Sequence, residues 1–194
     1  VKDIVVPRRR ILEKKGVNFI LDTALRVEPS ENKVYTEKGE YEYDHLIIAT
    51  GPKVNFDIAK GVKEHASYIG TPVGAMKTRE KLEAFKLNPG PIVIGATQNA
   101  GCMGAAYEFL FNIEKWLREE NIREKVDLYW VTPEPYLGHF GIDGMPLGEA
   151  MLNKFMEMFN IKFRTGVGIQ EVESDAVILS TGEVMVSDSA IHDY

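Results

Sequence analysis

The stretch that decides the fold of this chain is Pro91-Ile92-Val93-Ile94-Gly95-Ala96-Thr97-Gln98-Asn99-Ala100-Gly101-Cys102-Met103-Gly104. It opens with a short apolar run rich in β-branched residues, which predicts a strand. After the stretch, apolar residues recur at helical spacing between positions 105 and 120 and predict a helix; they are Ala106, Phe109, Leu110, Ile113 and Leu117. A glycine-rich turn joins the two elements. Strand, turn and helix together predict the opening of a dinucleotide-binding unit.

The only cysteine of the chain, Cys102, stands at the end of this turn. A thiol just before a helix experiences the partial positive charge of the helix N-terminus, which favours the thiolate and nucleophilic chemistry. Free cysteine is also among the most buried residue types, so Cys102 could equally be a small apolar side chain beneath the first helical turn. Position alone leaves both interpretations open.

Composition limits the class of protein. The chain has 194 residues, of which 44% are hydrophobic and 27% charged, enough for a real core and for one or two domains. A net charge of -6 argues against nucleic acid as a partner. No apolar run approaches the roughly 20 residues of a membrane span, so we expect a soluble chain. A single cysteine excludes an internal disulfide framework, and no metal site is expected.

Two parts of the sequence repeat one pattern. Each has a strand followed by a hairpin that turns at a Gly-Glu pair, Gly39-Glu40 in the first copy and Gly182-Glu183 in the second. The copies then continue into the apolar segments 46–48 and 189–191. Chance similarity between two β-meanders is the alternative, because hairpin turns recur in many folds. The shared order of elements favours a duplication, and with it a flavoprotein that contains two dinucleotide-binding domains.

A second motif supports this organisation: Tyr43-Asp44-His45-Leu46-Ile47-Ile48-Ala49-Thr50-Gly51. In two-domain flavin and pyridine-nucleotide oxidoreductases, such a pattern is the last strand of the FAD domain, where small residues let the backbone pass close to the cofactor. We therefore predict an α/β fold with a Rossmann-like, three-layer dinucleotide-binding domain over residues 58–194. Residues 1–57 are predicted to be the tail of the FAD domain.

The second domain departs from the pattern of NADH-binding domains. Thr97 stands at the second glycine position, and the strand predicted over residues 126–131 ends at Thr132-Pro133. The nearest acid, Glu134, lies between two prolines. A methyl-bearing side chain where pyrophosphate approaches and a missing ribose partner predict that NAD is not bound.

Two further helices are predicted from the sequence. One covers residues 8–15 and is ended by Gly16, and the other covers residues 146–160 and is begun by Pro146. The second is amphipathic, and its predicted apolar side consists of Leu147, Met151, Leu152, Phe155 and Phe159. Trp116 and Trp130 fall in helix and strand patterns and are predicted to lie in the core.

Three motifs together resemble the sulfide:quinone oxidoreductases. They are Gly95-Ala96-Thr97-Gln98-Asn99-Ala100-Gly101-Cys102-Met103-Gly104-Ala105-Ala106-Tyr107-Glu108-Phe109, Val131-Thr132-Pro133-Glu134-Pro135-Tyr136-Leu137-Gly138-His139-Phe140-Gly141, and Ala49-Thr50-Gly51-Pro52-Lys53. The resemblance extends over nearly the whole chain and weakens after about Ser174. It implies an FAD-dependent protein, peripheral to the membrane, that oxidises sulfide to sulfane sulfur or polysulfide and passes the electrons to a quinone.

The resemblance also implies roles for single residues. Cys102 matches one of two redox cysteines, Glu108 a carboxylate implicated in proton handling, and His139 a histidine near the sulfide-side site. The implied cofactor-binding residues are Thr50, Gly51, Pro52, Lys53 and Gly95. The residues themselves leave structural alternatives: the helix dipole accounts for an acid at Glu108, and a histidine in a glycine-flanked loop is commonly a turn residue.

The chain departs from the family pattern at two positions. Many members have a third cysteine where this chain has Gly70, and some have a histidine near Gly74. With Gly70, the flavin would be held without a thioether, and a sulfur relay would use two sulfur atoms.

Because the chain begins at Val1 and stops directly after a strand-like segment, we expect an internal piece of a longer protein. The second cysteine, the first FAD motif, the quinone pocket and the membrane anchor are then expected outside it. The piece alone is predicted to be inactive and soluble, and the whole protein is expected to associate with the membrane surface and is compatible with a homo-oligomer. Two alternatives are a type II NADH:quinone oxidoreductase and a catalytically silent interaction domain.

Overall fold

A computed structural model describes residues 6–51, 53–187 and 189–193. The chain forms two compact units, of which one ends at Lys53 and the other begins at Val54. The predicted boundary between residues 57 and 58 falls inside the second unit, and as a boundary between functional domains it stays a prediction.

The first unit consists of one helix and a small sheet. Helix α1 is Arg8–Lys14, and the strands are β1 (Ala24–Glu28), β2 (Lys33–Thr36) and β3 (Glu40–Glu42). The strands are antiparallel and follow the order β1-β2-β3. The predicted hairpin at Gly39-Glu40 is confirmed. None of the residues described in this unit is buried, so the sheet has no core of its own.

The second unit contains most of the secondary structure. Its helices are α2 (Val62–His65), α3 (Pro72–Phe85), α4 (Met103–Glu119) and α5 (Gly148–Met158). Its strands are β4 (Ile92–Ala96), β5 (Leu128–Val131), β6 (Ile161–Arg164), β7 (Ile169–Val172), β8 (Ala176–Leu179), β9 (Val184–Val186) and β10 (Ser189–Asp193). The predicted strand, glycine-rich turn and helix are confirmed as β4, the turn and α4.

Two sheets and a layer of helices make up this unit. One sheet is parallel with the order β10-β4-β5-β6, and the other is the antiparallel meander β7-β8-β9. Side chains alternate across the parallel sheet: Ile92 and Ile94 belong to the core with α4 and α5, and Val93 belongs to the core with the meander. The expected Rossmann-like, three-layer α/β architecture is confirmed.

The two meanders have the same irregularity. In the first unit the pairing of β1 with β2 shifts between Ala24 and Arg26, and in the second the pairing of β7 with β8 shifts between Ile169 and Glu171. A bulge inserts one unpaired residue and bends its strand, so its placement is a specific feature rather than general hairpin chemistry. The shared bulge adds to the sequence argument for a duplication.

The buried strand predicted within residues 43–51, after Tyr43 and Asp44, is not formed. Ile47 and Ile48 are 88% and 69% exposed. In the second copy the corresponding strand β10 lies parallel to β4, whereas no described strand of the first unit takes the place of β4. Without a neighbour to bond its backbone groups, the apolar segment has no reason to hold a strand conformation.

The beginning of the amphipathic helix was also predicted wrongly. Helix α5 begins at Gly148, because Leu147 has a left-handed backbone with φ 65° that a right-handed helix cannot include. Leu152 and Met156, one turn apart, are buried, whereas Leu147 and Met151 are 83% and 48% exposed. Of the two tryptophans, Trp130 is fully buried, and Trp116 is partly buried against the same core.

Within the described ranges, no helix has both the length and the apolar character needed to cross a membrane. The same residues contain no group of three or more His, Cys, Asp or Glu side chains placed to hold a metal ion.

Candidate active site at the carboxyl edge of the parallel sheet

Two connections of the second unit leave the same edge of the parallel sheet. The turn from β4 leads to Cys102 and α4, and the connection from β5 leads through Thr132 to a loop that contains His139. Ligands of open α/β folds bind outside the carboxyl ends of the strands. The fold therefore places the cysteine and histidine segments at the edge where a ligand is expected.

Cys102 is the N-cap residue of α4, with φ −149° and ψ 103°, and it is exposed. The interpretation as a buried apolar side chain is wrong, because Cys102 is exposed and the neighbouring Met103, at 8% exposure, is the residue that belongs to the core. The thiol caps no backbone N–H within the described part of the chain. Its sulfur is thus open to reaction and lies at the positive end of the helix dipole.

The glycines of this turn differ in the physical reason for the absence of a side chain. A Cβ at Gly95 would lie 2.8 Å from the carbonyl oxygen of Val131, so this glycine allows β4 and β5 to pack. A Cβ at Gly101 or Gly104 would meet no described atom within 4 Å. Packing therefore explains Gly95, whereas the open space beside Gly101 and Gly104 fits the approach of a group from outside the described chain.

Gln98 holds the turn against the meander. Its side-chain Nε2 donates to the carbonyl oxygens of Ile58 at 3.2 Å and Ile169 at 3.1 Å, and its Oε1 accepts from the N–H of Ile169 at 3.1 Å. No local pattern in the sequence indicates this role of Gln98, because its partners lie 40 and 71 residues away.

Glu108 is exposed on α4. No hydrogen bond or ion pair described for this chain joins it to Cys102 or His139. Its proton-handling role stays a prediction, beside the simpler effect of the helix dipole on an acid near a helix N-terminus.

His139 stabilises its own loop. Its Nδ1 accepts a hydrogen bond from the N–H of Gly141 at 3.1 Å, which assigns the ring proton to Nε2. Nε2 lies 3.3 Å from Oδ1 of Asp143. The ring packs edge-on against the ring of Tyr136, with 5.2 Å between the ring centroids. The side chain is 22% exposed. His139 therefore makes the contacts expected of a turn-stabilising residue. Its partial exposure also leaves the ring accessible for chemistry.

A buried carboxylate that the sequence did not reveal as a structural centre supports this loop. Glu134 is 3% exposed. Its Oε2 accepts from the hydroxyls of Tyr107 and Thr132, each at 2.9 Å, and its Oε1 accepts from the N–H of Phe140 at 2.7 Å. Burial and then the negative charge of Glu134 raise the pKa of the Tyr107 phenol well above its ordinary value.

These contacts bear on the prediction that NAD is not bound. Both oxygens of Glu134 are occupied inside the protein, so the nearest acid after β5 cannot bind a ribose. Thr97 is only 4% exposed, so little of its side chain is open to a ligand beside the turn. The exclusion of NAD stays a prediction.

The residues implied to hold FAD lie in the first unit, apart from Gly95. Thr50, Gly51 and Lys53 are exposed, whereas Pro52 lies outside the described residues. Gly51 has φ +73°, and a Cβ there would meet no described atom within 4 Å. Exposed backbone with a left-handed glycine fits the close approach of a cofactor.

Gly70 and Gly74, the two positions at which the sequence departs from the family pattern, lie around the start of α3. Gly70 lies just before Thr71, whose hydroxyl caps α3 by accepting from the N–H of Gly74 at 3.0 Å. A Cβ at Gly74 would lie 2.4 Å from the carbonyl oxygen of Tyr68. The backbone therefore leaves no room for a histidine at position 74.

No protein-family model matches the chain. The chain is, however, 39% identical over 178 residues to a sulfide-quinone reductase of Aquifex aeolicus, an alignment that covers 91% of this chain and 41% of the relative. This chain is homologous to the sulfide:quinone oxidoreductases. The mitochondrial sulfide:quinone oxidoreductase of Dictyostelium discoideum is 34% identical over 120 residues, which cover 59% of this chain and 26% of the relative.

A solved structure agrees. The crystal structure of the Aquifex aeolicus sulfide:quinone oxidoreductase matches with a TM-score of 0.93 and 36% identity, over 98% of this chain and 46% of the other. The chain therefore spans less than half the length of these relatives.

Proposed function

We propose that this chain is part of a flavin-dependent sulfide:quinone oxidoreductase in which Cys102 is a redox thiol. The observation that carries the proposal is the exposed cysteine at the N-terminus of α4, beside glycines that leave open space, in a chain homologous to sulfide-quinone reductase.

The overall reaction fixes what the protein must do. One HS⁻, one proton and one quinone become one sulfane sulfur and one quinol, so two electrons leave sulfur and two protons end on the quinone. FAD, when bound, supplies the two-electron acceptor between sulfide and quinone. Thr50, Gly51 and Lys53 would contact it through exposed groups, with Gly51 providing the close backbone approach.

The residues of this chain would act on the sulfur and the proton. The Cys102 thiolate, favoured by the helix dipole, and HS⁻ would form a persulfide with release of one proton and of two electrons that pass to FAD. His139 is proposed to exchange a proton through Nε2, the ring nitrogen that carries the hydrogen. Glu108 is proposed to take up protons at the surface of α4. Membrane association, oligomerisation and the exclusion of NAD are part of the same proposal.

The proposal is tested by the flavin absorbance of the full-length protein. Sulfide should bleach the oxidised flavin, and a short-chain quinone should restore its colour. The Cys102→Ser variant should lose more than about 100-fold in the rate of bleaching, because a nucleophile is removed. Dithionite should still reduce the flavin of the variant, which shows that the cofactor site is intact.

Three results would contradict the proposal. Sulfide bleaching at the wild-type rate in Cys102→Ser would remove the thiol from the reaction. Rapid bleaching by NADH, with none by sulfide, would instead place the protein with the type II NADH:quinone oxidoreductases. A flavin that neither reductant bleaches would favour the silent interaction domain.

A further inference from the structure

We propose that Glu134 is a positioning residue that holds the His139 loop in place at the carboxyl edge of the sheet. The inference rests on the proposed function in one respect, the role of His139, and otherwise on the contacts of Glu134.

The carboxylate joins three parts of the second unit. Thr132 comes directly after β5, Tyr107 lies on α4 five residues after Cys102, and Phe140 follows His139 in the loop. All three donate hydrogen bonds to Glu134, at 2.9, 2.9 and 2.7 Å. The helix that begins at the cysteine and the loop that carries the histidine are thus held by one buried group.

The Tyr107 hydroxyl makes a second connection to the loop. It accepts a hydrogen bond from the N–H of Gly138 at 3.2 Å while it donates to Glu134. Its ring packs edge-on against the ring of Phe140, with 5.5 Å between the ring centroids. The residues on either side of His139 are therefore both bonded to the Tyr107–Glu134 pair.

The backbone of the loop is strained at the point that Glu134 holds. Phe140 has φ 54°, a left-handed conformation that a bulky side chain rarely adopts. Such a conformation persists only where the surroundings enforce it, and strained residues cluster at functional sites. Its N–H is the group bonded to Oε1 of Glu134. The carboxylate keeps the chain in a conformation that it would otherwise leave, and so sets the place of the His139 ring.

The test compares two variants of Glu134 in the full-length protein. Glu134→Leu fills the space but accepts no hydrogen bond, whereas Glu134→Gln keeps one oxygen for the N–H of Phe140. Amide hydrogen exchange over residues 138–141 should be at least about 10-fold faster in Glu134→Leu and close to wild type in Glu134→Gln. Tyr107→Phe, a milder change, should give intermediate exchange.

Kinetics test the connection to His139. Glu134→Leu should lower kcat/KM for sulfide by about 10- to 100-fold through misplacement of the ring, and Glu134→Gln should recover most of it. The double variant Glu134→Leu/His139→Ala should be no slower than His139→Ala alone. Additive losses would overturn the positioning role.

The matched control is Glu114→Leu. Glu114 is also a buried glutamate of the second unit, 2% exposed, but its partners are Arg118 on α4 and Arg123, outside the His139 loop. Its loss should lower stability and leave exchange over residues 138–141 unchanged.

The two proposals fail in different ways. If the wild-type protein does not oxidise sulfide, the proposed function fails, and hydrogen exchange still decides whether Glu134 anchors the loop. Wild-type exchange in Glu134→Leu would overturn the inference even if sulfide oxidation is intact.

Discussion

At the scale of single residues, the buried Tyr107–Glu134 pair supports the His139 loop through hydrogen bonds. Tyr107 is 4% exposed and Glu134 is 3% exposed, and each is bonded to the other and to the backbone of the loop. A hydrogen bond to a charged group contributes about 1.5–3 kcal/mol, more than a neutral one. Three hydrogen-bond donors among the described residues stabilise the Glu134 carboxylate, and its negative charge opposes ionisation of the tyrosine beside it.

The raised pKa of Tyr107 predicts that the stability of the protein falls at alkaline pH. The raised pKa of Tyr107 keeps its phenol protonated in the native state, whereas in the unfolded state it ionises near pH 10. The native state then binds more protons, so its stabilising contribution is complete below pH 10 and is lost as the pH rises further. Relative to Tyr107→Phe, the free energy of unfolding of this chain should fall by about 1.4 kcal/mol per pH unit above that point. Urea unfolding of both proteins between pH 8 and 11 measures it, and a constant difference would contradict the prediction.

At the scale of elements, the first turns of α3 and α4 both contain a glycine, for opposite reasons. Gly74 in α3 has the carbonyl oxygen of Tyr68 against it, and Gly104 in α4 has open space. One glycine is required by packing within the unit. The other leaves room beside Cys102 that the described chain does not use.

The difference predicts opposite effects of the same substitution. Gly74→Ala should lower the free energy of unfolding by about 1–3 kcal/mol, because its Cβ would lie 2.4 Å from the Tyr68 oxygen and the backbone must shift. Gly104→Ala, the matched control, should raise it by up to about 1 kcal/mol through helix propensity. Urea unfolding followed by the fluorescence of the buried Trp130 gives both values. A Gly74→Ala protein as stable as the wild type would refute the packing argument.

At the scale of the whole molecule, the two units differ in how much they bury. No residue described before Val54 is buried, whereas the second unit has one core on each face of its parallel sheet. Stability follows burial because hydrophobic contacts offset the loss of conformational entropy. The two meanders have the same strand order and the same bulge, but only β7-β8-β9 packs against a core.

The two meanders can therefore be compared within one chain to test the effect of burial on local stability. In this 194-residue chain, amides of β1-β2-β3 should exchange at least about 100-fold faster than those of β7-β8-β9, because local opening exposes no buried surface in the first meander. Hydrogen exchange followed by mass spectrometry of peptides from each meander measures the ratio. Equal protection would mean that burial does not set the stability of this fold.

The sequence by itself determined the features that depend on neighbours along the chain. The strand before Gly95 and the helix after Cys102, both hairpins and the Rossmann-like class follow from hydrophobic period and turn chemistry, which are local properties. Motifs of consecutive residues likewise indicated the similarity to sulfide-quinone reductase.

Only the tertiary structure decided the rest, because it depends on which distant residues meet. The exposure of Cys102, the hydrogen bond from Tyr107 to Glu134 across 27 residues and the attachment of Gln98 to β7 across 71 residues are set by tertiary packing. The segment 43–51 had the composition of a strand, but the described chain offers no strand beside it. A sequence pattern states what a segment can form, and the partners it finds in space decide what it does form.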